Sequence, residues 1–482
     1  MNKKFVFYLL GRIAQTIGIL LLLPAAVASY YQEIDQFWAF TAVAVGSLMA
    51  GTAIAYVCKT KNNVIYAKEG FAIVALSWIS MSLVGALPFV ISGEIPSYVD
   101  AFFETVSGFT TTGASILENV ELLSRSMLFW RSFTHWVGGM GVLVFIMAIV
   151  NNISDRSIHI MRAEMPGPVV GKLVPRAKDT AKILYLIYIV MTVLEAILLF
   201  AGGMPIFDSV VHSFGTAGTG GFGIVSTSVG GYSSYCQYVI GIFMLLFGVN
   251  FNLYYLLLLG KLKNIFKSTE LWAYLGIVAA SVCAITINLM SMYESFAESF
   301  KHSFFQVSSV MTTTGFSTAD FNLWPGLSKG ILMLLMFIGG CAGSTAGGLK
   351  VSRIVILYKM ILAEIRRLLH PRSVNSVRFE GKTVEQQTLA SVATYFAVYV
   401  ICAAAIFLVI SFEPFGFETN FSAMTATFNN IGPGFGRVGA AGSFADYSDF
   451  STIVLSISML LGRLEIFPLI IALSPATWKK SR

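Results

Sequence analysis

Four short polar segments rich in threonine, asparagine and glycine interrupt an otherwise apolar chain. They read Thr110-Thr111-Thr112-Gly113-Ala114-Ser115, Gly218-Thr219-Gly220-Gly221-Phe222-Gly223, Thr312-Thr313-Thr314-Gly315-Phe316-Ser317 and Asn429-Asn430-Ile431-Gly432-Pro433-Gly434. In selectivity filters, rings of backbone carbonyls from segments around one axis replace the water shell of an ion. Glycine permits the backbone angles that point successive carbonyls inward, and threonine hydroxyls can add ligands. The pattern therefore predicts a cation filter in a fourfold pore.

The candidate ligands are the central glycine of each segment and the two residues before it: Thr111, Thr112, Gly113, Thr219, Gly220, Gly221, Thr313, Thr314, Gly315, Asn430, Ile431 and Gly432. The four glycines lie 108, 94 and 117 residues apart, which suits one pair of membrane helices per repeat and implies duplication. A single Thr-Thr-Thr-Gly segment would instead favour close helix packing through small residues. Four such segments, each after a short amphipathic stretch, favour the filter.

The composition indicates an integral membrane protein. Of the 482 residues, 56% are hydrophobic and 12% are charged, whereas soluble proteins average about 25% charged residues. A membrane-spanning helix needs about 20 predominantly apolar residues. Ten stretches qualify, the eighth with a break in its middle: 5–31, 37–58, 70–92, 127–151, 181–202, 235–260, 270–290, 329–358, 387–411 and 450–475.

A shorter helical stretch leads into each glycine segment. These stretches cover residues 100–110, 207–217, 301–311 and 418–428. They are too short to cross a bilayer at a rise of about 1.5 Å per residue, so we expect them to enter and return from the same side. The unpaired backbone that follows is tolerated at membrane depth only when it lines a water-filled cavity or is buried in protein. The glycine segments should therefore line a pore.

The predicted fold is an all-α integral membrane protein with four pseudo-fourfold helix/pore-helix/helix repeats around a central pore and an additional N-terminal hairpin of two helices. The expected regions are the accessory hairpin 1–69, pore repeats 70–153 and 154–264, repeat 265–386 with the broken helix and a cytoplasmic linker, and repeat 387–482 with the C-terminal tail.

Lysine and arginine concentrate in alternate connections, which predicts that both termini are cytoplasmic. These basic connections are the N-terminus, 59–69, 152–182, 261–269, 350–386 and the C-terminal tail. The net charge of +7 thus reflects membrane topology, and the chain contains no basic recognition module for nucleic acid. The opposite connections are acidic. They either concentrate cations at the pore mouth or carry ordinary solvated loop charge.

The break in the eighth stretch is a run of small residues at 339–348. It is too rich in glycine for a regular helix, since each interior glycine costs about 1 kcal/mol relative to alanine. We expect a loop inside the membrane, facing a cavity. A permanently kinked helix with tight packing is the alternative. The candidate loop residues are Gly339, Gly340, Gly343, Ser344, Thr345, Gly347 and Gly348.

Arg463 lies midway along the last predicted span. A cation there costs several kcal/mol unless it faces water or a partner, so we expect it to face the pore. An ion pair with Glu195 or Glu465 is the alternative. Two more basic residues just after the glycine-rich run, Lys350 and Arg353, are expected to be cytoplasmic anchors.

Two segments resemble nucleotide-binding motifs but do not meet the requirements of those motifs. The segment 218–223 satisfies GxGxxG but lacks the βαβ unit that this fingerprint requires, and 343–350 lacks the GK[ST] junction of a P-loop. The five cysteines form no CxxC pair and the five histidines no zinc-ligand spacing. We therefore expect no nucleotide on this chain, no zinc or disulfide framework, and no catalytic residues.

Over residues 70–475 the chain resembles the Trk/Ktr/HKT superfamily of potassium transporters. The resemblance rests on the two Thr-Thr-Thr-Gly motifs, on Asn430-Ile431-Gly432-Pro433-Gly434 and on Leu461-Gly462-Arg463-Leu464-Glu465. The extra N-terminal hairpin resembles the Trk-type membrane subunit. Because all four central filter positions are glycine, the resemblance implies K⁺ as the transported ion and the filter ligand. It also implies a gate at 339–348 and an electrostatic barrier to K⁺ at Arg463.

The resemblance further implies a homodimer in a bacterial inner membrane, docked on a cytosolic ring of nucleotide-binding subunits (TrkA-like). The stretch 359–382 and the C-terminal tail are candidate docking surfaces. Three alternatives remain at this stage. They are a sodium-permeable or non-selective transporter of the same fold, a non-conducting membrane scaffold, and a membrane hydrolase using Ser344, which has no histidine or carboxylate beside it in sequence.

Overall fold

The computed structural model describes residues 2–60, 67–141, 177–372 and 375–479. Its helices are α1 (Lys3–Leu20), α2 (Leu22–Tyr30), α3 (Ile34–Val57), α4 (Ala67–Ile91), α5 (Tyr98–Phe109), α6 (Arg125–Gly139), α7 (Ala177–Ala201), α8 (Ile206–Gly218), α9 (Ser234–Phe247), α10 (Phe251–Leu258), α11 (Leu262–Phe266), α12 (Thr269–Leu289), α13 (Phe296–Met311), α14 (Gly326–Ile338), α15 (Val351–Leu369), α16 (Gln386–Ile410), α17 (Phe417–Phe428), α18 (Asp449–Arg463), α19 (Phe467–Leu473) and α20 (Pro475–Trp478). Strands β1 (Arg378–Phe379) and β2 (Lys382–Thr383) form an antiparallel hairpin. The predicted all-α class is confirmed, and this hairpin is the one sheet in the described part of the chain.

Six helices are long and apolar enough to cross a membrane, judged by length and composition. They cover Lys3–Tyr30, Ile34–Val57, Lys68–Ile91, Ala181–Ala201, Thr269–Leu289 and Gln386–Ile410, and they match six of the ten predicted spans. Of the predicted span 127–151, the structure shows α6 as far as Gly139. The end of that span, and the basic connection after it as far as residue 176, lie outside the described residues.

Two predicted spans, 235–260 and 450–475, are not continuous helices. The axes of α9 and α10 differ by 91°, and those of α18 and α19 by 118°. At the first break, the Asn250 side chain accepts the N–H of Asn252 and starts a new helix. At the second, Glu465 and Ile466 have left-handed φ angles of 52° and 67°. The prediction of unbroken helices is wrong here, because partners from distant segments hold both breaks open.

The eighth predicted span is broken as expected. Helix α14 ends at Ile338, Gly339 has a φ of 76°, and α15 begins at Val351. Residues 339–350 between them form a loop with several positive φ angles, so the kinked-helix alternative does not apply. We call these residues the glycine loop.

The four short helices lie where the sequence predicts them, and each packs between two neighbouring helices of its own repeat. Helix α5 packs on α4 and α6, α8 on α7 and α9, α13 on α12 and α14, and α17 on α16 and α18. Contacts between successive units run from α6 to α8, from α9 to α13, from α14 to α17, and from α18 back to α5. The four units therefore close into a ring, as the repeat prediction requires.

Candidate functional site

Each of the four short helices ends in the same backbone cap. The residue two positions before each central glycine is left-handed, with φ angles of 56° at Thr111, Thr219 and Thr313 and 55° at Asn430. The next N–H donates to the carbonyl five residues earlier, in the pairs Thr112–Ser107 (2.9 Å), Gly220–Gly215 (2.8 Å), Thr314–Ser309 (2.8 Å) and Ile431–Ala426 (2.9 Å). This is the Schellman pattern. It turns the chain out of each helix in the same way.

The four central glycines also have left-handed backbones, with φ angles of 80°, 70°, 90° and 99° in chain order. A Cβ atom built on each one would collide with the carbonyl oxygen of the residue before the central glycine in the next segment. The pairs are Gly113 with Gly220, Gly221 with Thr314, Gly315 with Ile431, and Gly432 with Thr112. These contacts run once around the four segments and return to the first. Four backbone carbonyls thus lie on one closed ring in which only glycine fits.

Side-chain hydroxyl and amide groups of the segments stabilise this ring through hydrogen bonds. The Oγ1 atoms of Thr110 and Thr112 are 2.8 Å apart, as are those of Thr312 and Thr314. The Asn430 amide donates to Thr112 Oγ1 at 2.9 Å and to the Met459 carbonyl at 2.9 Å, which ties the fourth segment to the first and to α18. The hydroxyls of Thr112 and Thr314 therefore brace the segments, and backbone carbonyls are the better candidates for ion ligands.

A buried ion pair supports the first two segments. Arg131 in α6 donates to Glu104 in α5 at 2.7 Å, and both side chains are almost fully buried. Glu104 also accepts the Ile116 N–H at 3.0 Å, while Arg131 donates to the Gly223 carbonyl at 3.2 Å. The pair joins the outer ends of the two segments. The sequence analysis did not single out either residue, although a carboxylate and a guanidinium in neighbouring membrane segments are the signal that would have found them.

His135 supports the second segment through hydrogen bonds. Its Nδ1 lies 2.8 Å from the Gly108 carbonyl, which makes Nδ1 the donor, and its Nε2 accepts the Phe222 N–H at 3.3 Å. A Cβ atom on Gly220 would overlap the imidazole ring. The sequence indicated only that the five histidines lack zinc-ligand spacing. His135 is buried, and it is also a hydrogen-bonding link between the first and second repeats.

The Glu104–Arg131 pair predicts a large stability effect. Replacing Glu104 with glutamine leaves a buried guanidinium without its counter-charge, so we expect a loss of about 3–5 kcal/mol in the free energy of unfolding. Chemical denaturation of the purified chain in detergent measures this. Asp446→Asn is the control, because Asp446 pairs with Arg437 at the exposed surface and such pairs contribute about 1 kcal/mol or less. Equal losses in the two variants would contradict the assignment.

On the side away from the glycine loop, the ring opens into a depression lined by all four central glycines and by Glu118. Several other acidic residues of the connections predicted to be acidic accept hydrogen bonds from protein groups. Glu33 accepts the N–H groups of Arg125 and Ser126 at 2.7 and 3.0 Å, where α6 begins. Glu413 accepts the Ser448 N–H at 3.2 Å, where α18 begins. These contacts favour the ordinary alternative, loop and capping charge, for much of the acidity on this side.

The glycine loop lies directly against the ring, on the side opposite the depression. The Gly347 N–H donates to Thr313 Oγ1 at 2.6 Å. A Cβ atom on Gly347 would overlap the Asn429 carbonyl oxygen and lie 3.2 Å from Asn430 Cβ. The loop therefore touches the third and fourth segments, and the absence of a side chain at Gly347 is what permits the contact. The predicted candidates Gly339, Gly340, Gly343, Ser344, Thr345, Gly347 and Gly348 all belong to this loop.

The loop is also hydrogen-bonded to the backbone at the break between α9 and α10. The Cys341 N–H donates to the Gly248 carbonyl at 2.9 Å, and the Phe251 N–H donates to the Gly343 carbonyl at 3.0 Å. These bonds satisfy backbone groups that a continuous helix would have paired internally. They explain the bend that the sequence analysis missed, since nothing local to 248–250 identifies the loop as the partner.

Arg463 connects three elements beneath the ring. It donates to the Thr345 carbonyl of the loop at 2.8 Å and to the carbonyls of Gly138 and Gly139, at the end of α6, at 2.6 and 2.8 Å. Glu465, considered above as its alternative partner, pairs with Arg353 instead. Arg463 lines one common cavity with three of the loop glycines, Gly343, Gly347 and Gly348. Arg463 is half-buried at the end of α18.

Lys350 and Arg353 are not surface anchors, and that prediction is wrong. Both are buried, at 7% and 8% exposure. Lys350 Nζ donates to the Ala346 carbonyl within the loop. Arg353 pairs with Glu465 and lies 4.1 Å from the centre of the Tyr395 ring. Their positions follow from the second half of the broken span, which starts inside the protein rather than at the membrane surface.

Comparison with known proteins agrees with this architecture. The family named TrkH and described as "Cation transport protein" matches residues 37–280 and 268–480. The chain belongs to the TrkH family. The superfamily resemblance inferred from the motifs is thereby confirmed, and this TrkH-family chain has close relatives along its whole length.

A Trk system potassium uptake protein TrkH from Salmonella typhimurium is 36% identical over 487 residues and covers 100% of both chains. The Trk system potassium uptake protein TrkG of Escherichia coli strain K12 is 35% identical, with 99% of both chains covered. A crystal structure described as the potassium transporter TrkH from Vibrio parahaemolyticus superimposes with a TM-score of 0.89 at 33% identity, covering 99% of this chain and 100% of that one. The fold of this TrkH-family chain is thus that of a solved relative.

Proposed function

We propose that this chain carries potassium into the cell through a channel-like filter at the closed carbonyl ring. The observation that carries the proposal is the ring itself: each of the four repeats places a backbone carbonyl against the central glycine of the preceding repeat. Such a ring can replace the hydration shell of a cation, whereas an anion would need hydrogen-bond donors in its place. The proposed K⁺ ligands are the carbonyl groups of the twelve residues predicted from the sequence.

The names of the relatives support potassium as the ion. The Salmonella and Escherichia proteins are named potassium uptake proteins, and the Vibrio structure is that of a potassium transporter. These names also favour a transporter over the hydrolase alternative. Ser344, the candidate nucleophile of that alternative, donates to the Cys341 carbonyl at 2.7 Å and accepts the Ala346 N–H at 3.3 Å, which are contacts internal to the glycine loop.

Selectivity for potassium over sodium is part of the proposal. It rests on glycine at all four central positions, each held at a positive φ. The second and fourth segments carry Gly220 and Ile431 where the others carry threonine. The bracing hydroxyl pairs of Thr112 and Thr314 thus have no counterpart there, and we expect weaker selectivity than in a homotetrameric channel. A sodium-permeable transporter remains the alternative within the same fold.

We also propose that the glycine loop is the gate and that Arg463 is an electrostatic barrier. The loop contacts the inner side of the ring through Gly347, so it has to move before an ion can leave the filter inward. The guanidinium of Arg463 lies beside that loop and opposes a cation on the same path. The loop is held by discrete hydrogen bonds, and its release requires that these bonds break.

Further parts of the proposal concern assembly and location. The relatives are named as proteins of a Trk system, that is, as one component among several. This supports a cytosolic nucleotide-binding ring (TrkA-like) as the regulatory partner. The nucleotide binds to that partner and not to this chain. A homodimer in the bacterial inner membrane with both termini cytoplasmic completes the proposal. The end of α15 supports a docking role, because its exposed side chains are basic and apolar: Arg366, Arg367, Leu368 and Leu369.

Growth rescue tests whether the filter transports potassium. We expect the chain to restore growth of a potassium-uptake-deficient bacterium at low potassium, and Gly113→Leu to abolish the rescue, because a side chain there collides with the Gly220 carbonyl. Gly203→Leu is the matched control, since Gly203 has a similar φ of 86° and nothing within 4 Å of its Cβ position. Rescue by Gly113→Leu at equal membrane expression would favour the scaffold alternative.

A further inference from the structure

Glu270 holds both the glycine loop and the start of the helix that follows it. It lies in the first turn of α12 and is 5% exposed. Its Oε1 atom accepts the Ala342 N–H at 2.6 Å and the Ser352 N–H at 3.1 Å. Ala342 belongs to the loop, and Ser352 to the first turn of α15 that follows it. One buried side-chain oxygen therefore fixes both the loop and the start of the next helix.

A second glutamate connects this point to the cytoplasmic hairpin. Glu380, in the turn between β1 and β2, accepts the Ser268 hydroxyl at 3.1 Å and the Glu270 N–H at 3.0 Å. Ser268 is the residue that caps α12. Glu380 thus fixes the start of α12 and, with it, the backbone of Glu270.

The hairpin itself is attached to the helices on both sides of the linker. Lys359 in α15 donates to the Arg378 carbonyl at 2.8 Å. Phe379 is buried in a small hydrophobic cluster with Ile356 of α15 and Leu389 of α16. A displacement of the linker or of α15 can therefore reach Glu380 through these contacts of the hairpin.

We infer that Glu270 and Glu380 form a latch that holds the glycine loop against the ring and links its release to movement of the cytoplasmic hairpin. The inference rests on the proposed function, because it concerns the gating of the same pore. Both glutamates are positioning residues, since they act on the loop and the helix start and not on the ion. The two contacts form a chain from the hairpin through Glu380, the start of α12 and Glu270 to Ala342.

Removal of the Glu270 oxygen leaves two buried N–H groups without an acceptor, which disfavours the loop position seen here. We therefore expect Glu270→Ala to raise the ratio of open to closed time roughly tenfold. Glutamine keeps an acceptor oxygen at the same place, so Glu270→Gln should stay within about threefold of the wild type. The potassium-to-sodium permeability ratio should not change in either variant, because neither touches the ring.

Single-channel recording of the full chain in planar bilayers, in potassium and then in sodium, gives both quantities. Glu33→Ala is the matched control. Glu33 also accepts two N–H groups at the start of a helix, but it lies on the outer side and has no contact with the loop among the described residues. A rise in Glu270→Ala alone supports the latch. No rise, an equal rise in Glu33→Ala, or a changed permeability ratio overturns it.

Glu380→Ala tests the connection to the hairpin and remains informative if Glu270→Ala does not fold, because Glu380 is exposed. We expect it to raise the same ratio about threefold and to add nothing to Glu270→Ala in the double variant, since both act through one contact chain. The link between the hairpin and Glu270 would be overturned if the effects of the two substitutions on this ratio multiply in the double variant, or if Glu380→Ala alone has no effect. If the wild type conducts potassium and every variant has the wild-type ratio of open to closed time, the latch is refuted but the proposed function is not. Absence of potassium current from the wild type refutes the proposed function together with it.

Discussion

Replacing Gly315 with serine should lower the ratio of potassium to sodium flux by roughly tenfold. The backbone of Gly315 has a φ of 90°, and a Cβ atom there would collide with the Ile431 carbonyl oxygen and lie 2.9 Å from Pro433 Cδ. A side chain at such an angle costs about 1–3 kcal/mol, and the carbonyl has to move away from it. The ring then no longer matches one ion size, so discrimination falls while conduction persists.

Gly93→Ser is the control for this result. Gly93 has a φ of 77° but nothing within 4 Å of its Cβ position, so serine adds the conformational cost without displacing a carbonyl. Cation flux into proteoliposomes, with potassium and sodium compared on the same preparation, measures the ratio. A ratio that stays at the wild-type value in Gly315→Ser, or that falls equally in Gly93→Ser, would contradict the assignment of the ring as the filter.

Replacing Arg463 with glutamine should raise potassium flux about thirtyfold. At an assumed separation of about 7 Å and an effective dielectric constant of about 20, removing one unit charge lowers the energy of a passing cation by about 2 kcal/mol. The change also weakens the hydrogen bonds to Thr345 and to Gly138 and Gly139 that hold the loop and the end of α6 together. Both effects favour conduction.

Arg463→Lys separates the two effects. Lysine keeps the charge but lacks the planar fork that reaches several carbonyls at once. Flux close to the wild-type value in Arg463→Lys, with a large rise in Arg463→Gln, identifies the charge as the main cause of the barrier. A comparable rise in both variants assigns the effect to the hydrogen bonds. Unchanged flux in Arg463→Gln means that Arg463 is neither a barrier nor a tether for the gate.

The repeat and the broken span could be predicted because their signals are local. Glycine at four regular positions after short amphipathic stretches indicates re-entrant segments without any knowledge of their neighbours. The density of glycine at 339–348 likewise makes a helix too costly wherever the segment lies. The intramembrane charge at Arg463 similarly indicated a position beside a cavity, and the structure gives it a cavity shared with the glycine loop.

The features that the sequence analysis missed depend on partners distant in sequence. The bend after α9 is stabilised by Cys341 and Gly343, almost one hundred residues later. The left-handed threonines at the ends of the short helices are unfavourable locally, since β-branched residues rarely adopt positive φ. They persist because the closed ring fixes the backbone around them. Arg353 and Lys350 were assigned to the surface because the depth of the loop within the protein has no signature in its composition.

The most direct test of the central claim is the cation selectivity of the unmodified chain. Purified protein in proteoliposomes should take up potassium and rubidium faster than sodium or lithium when each cation is supplied alone under the same gradient. The carbonyl ring with glycine at all four central positions predicts that order. Equal uptake of all four cations would leave a pore of this architecture but contradict its assignment as a potassium filter.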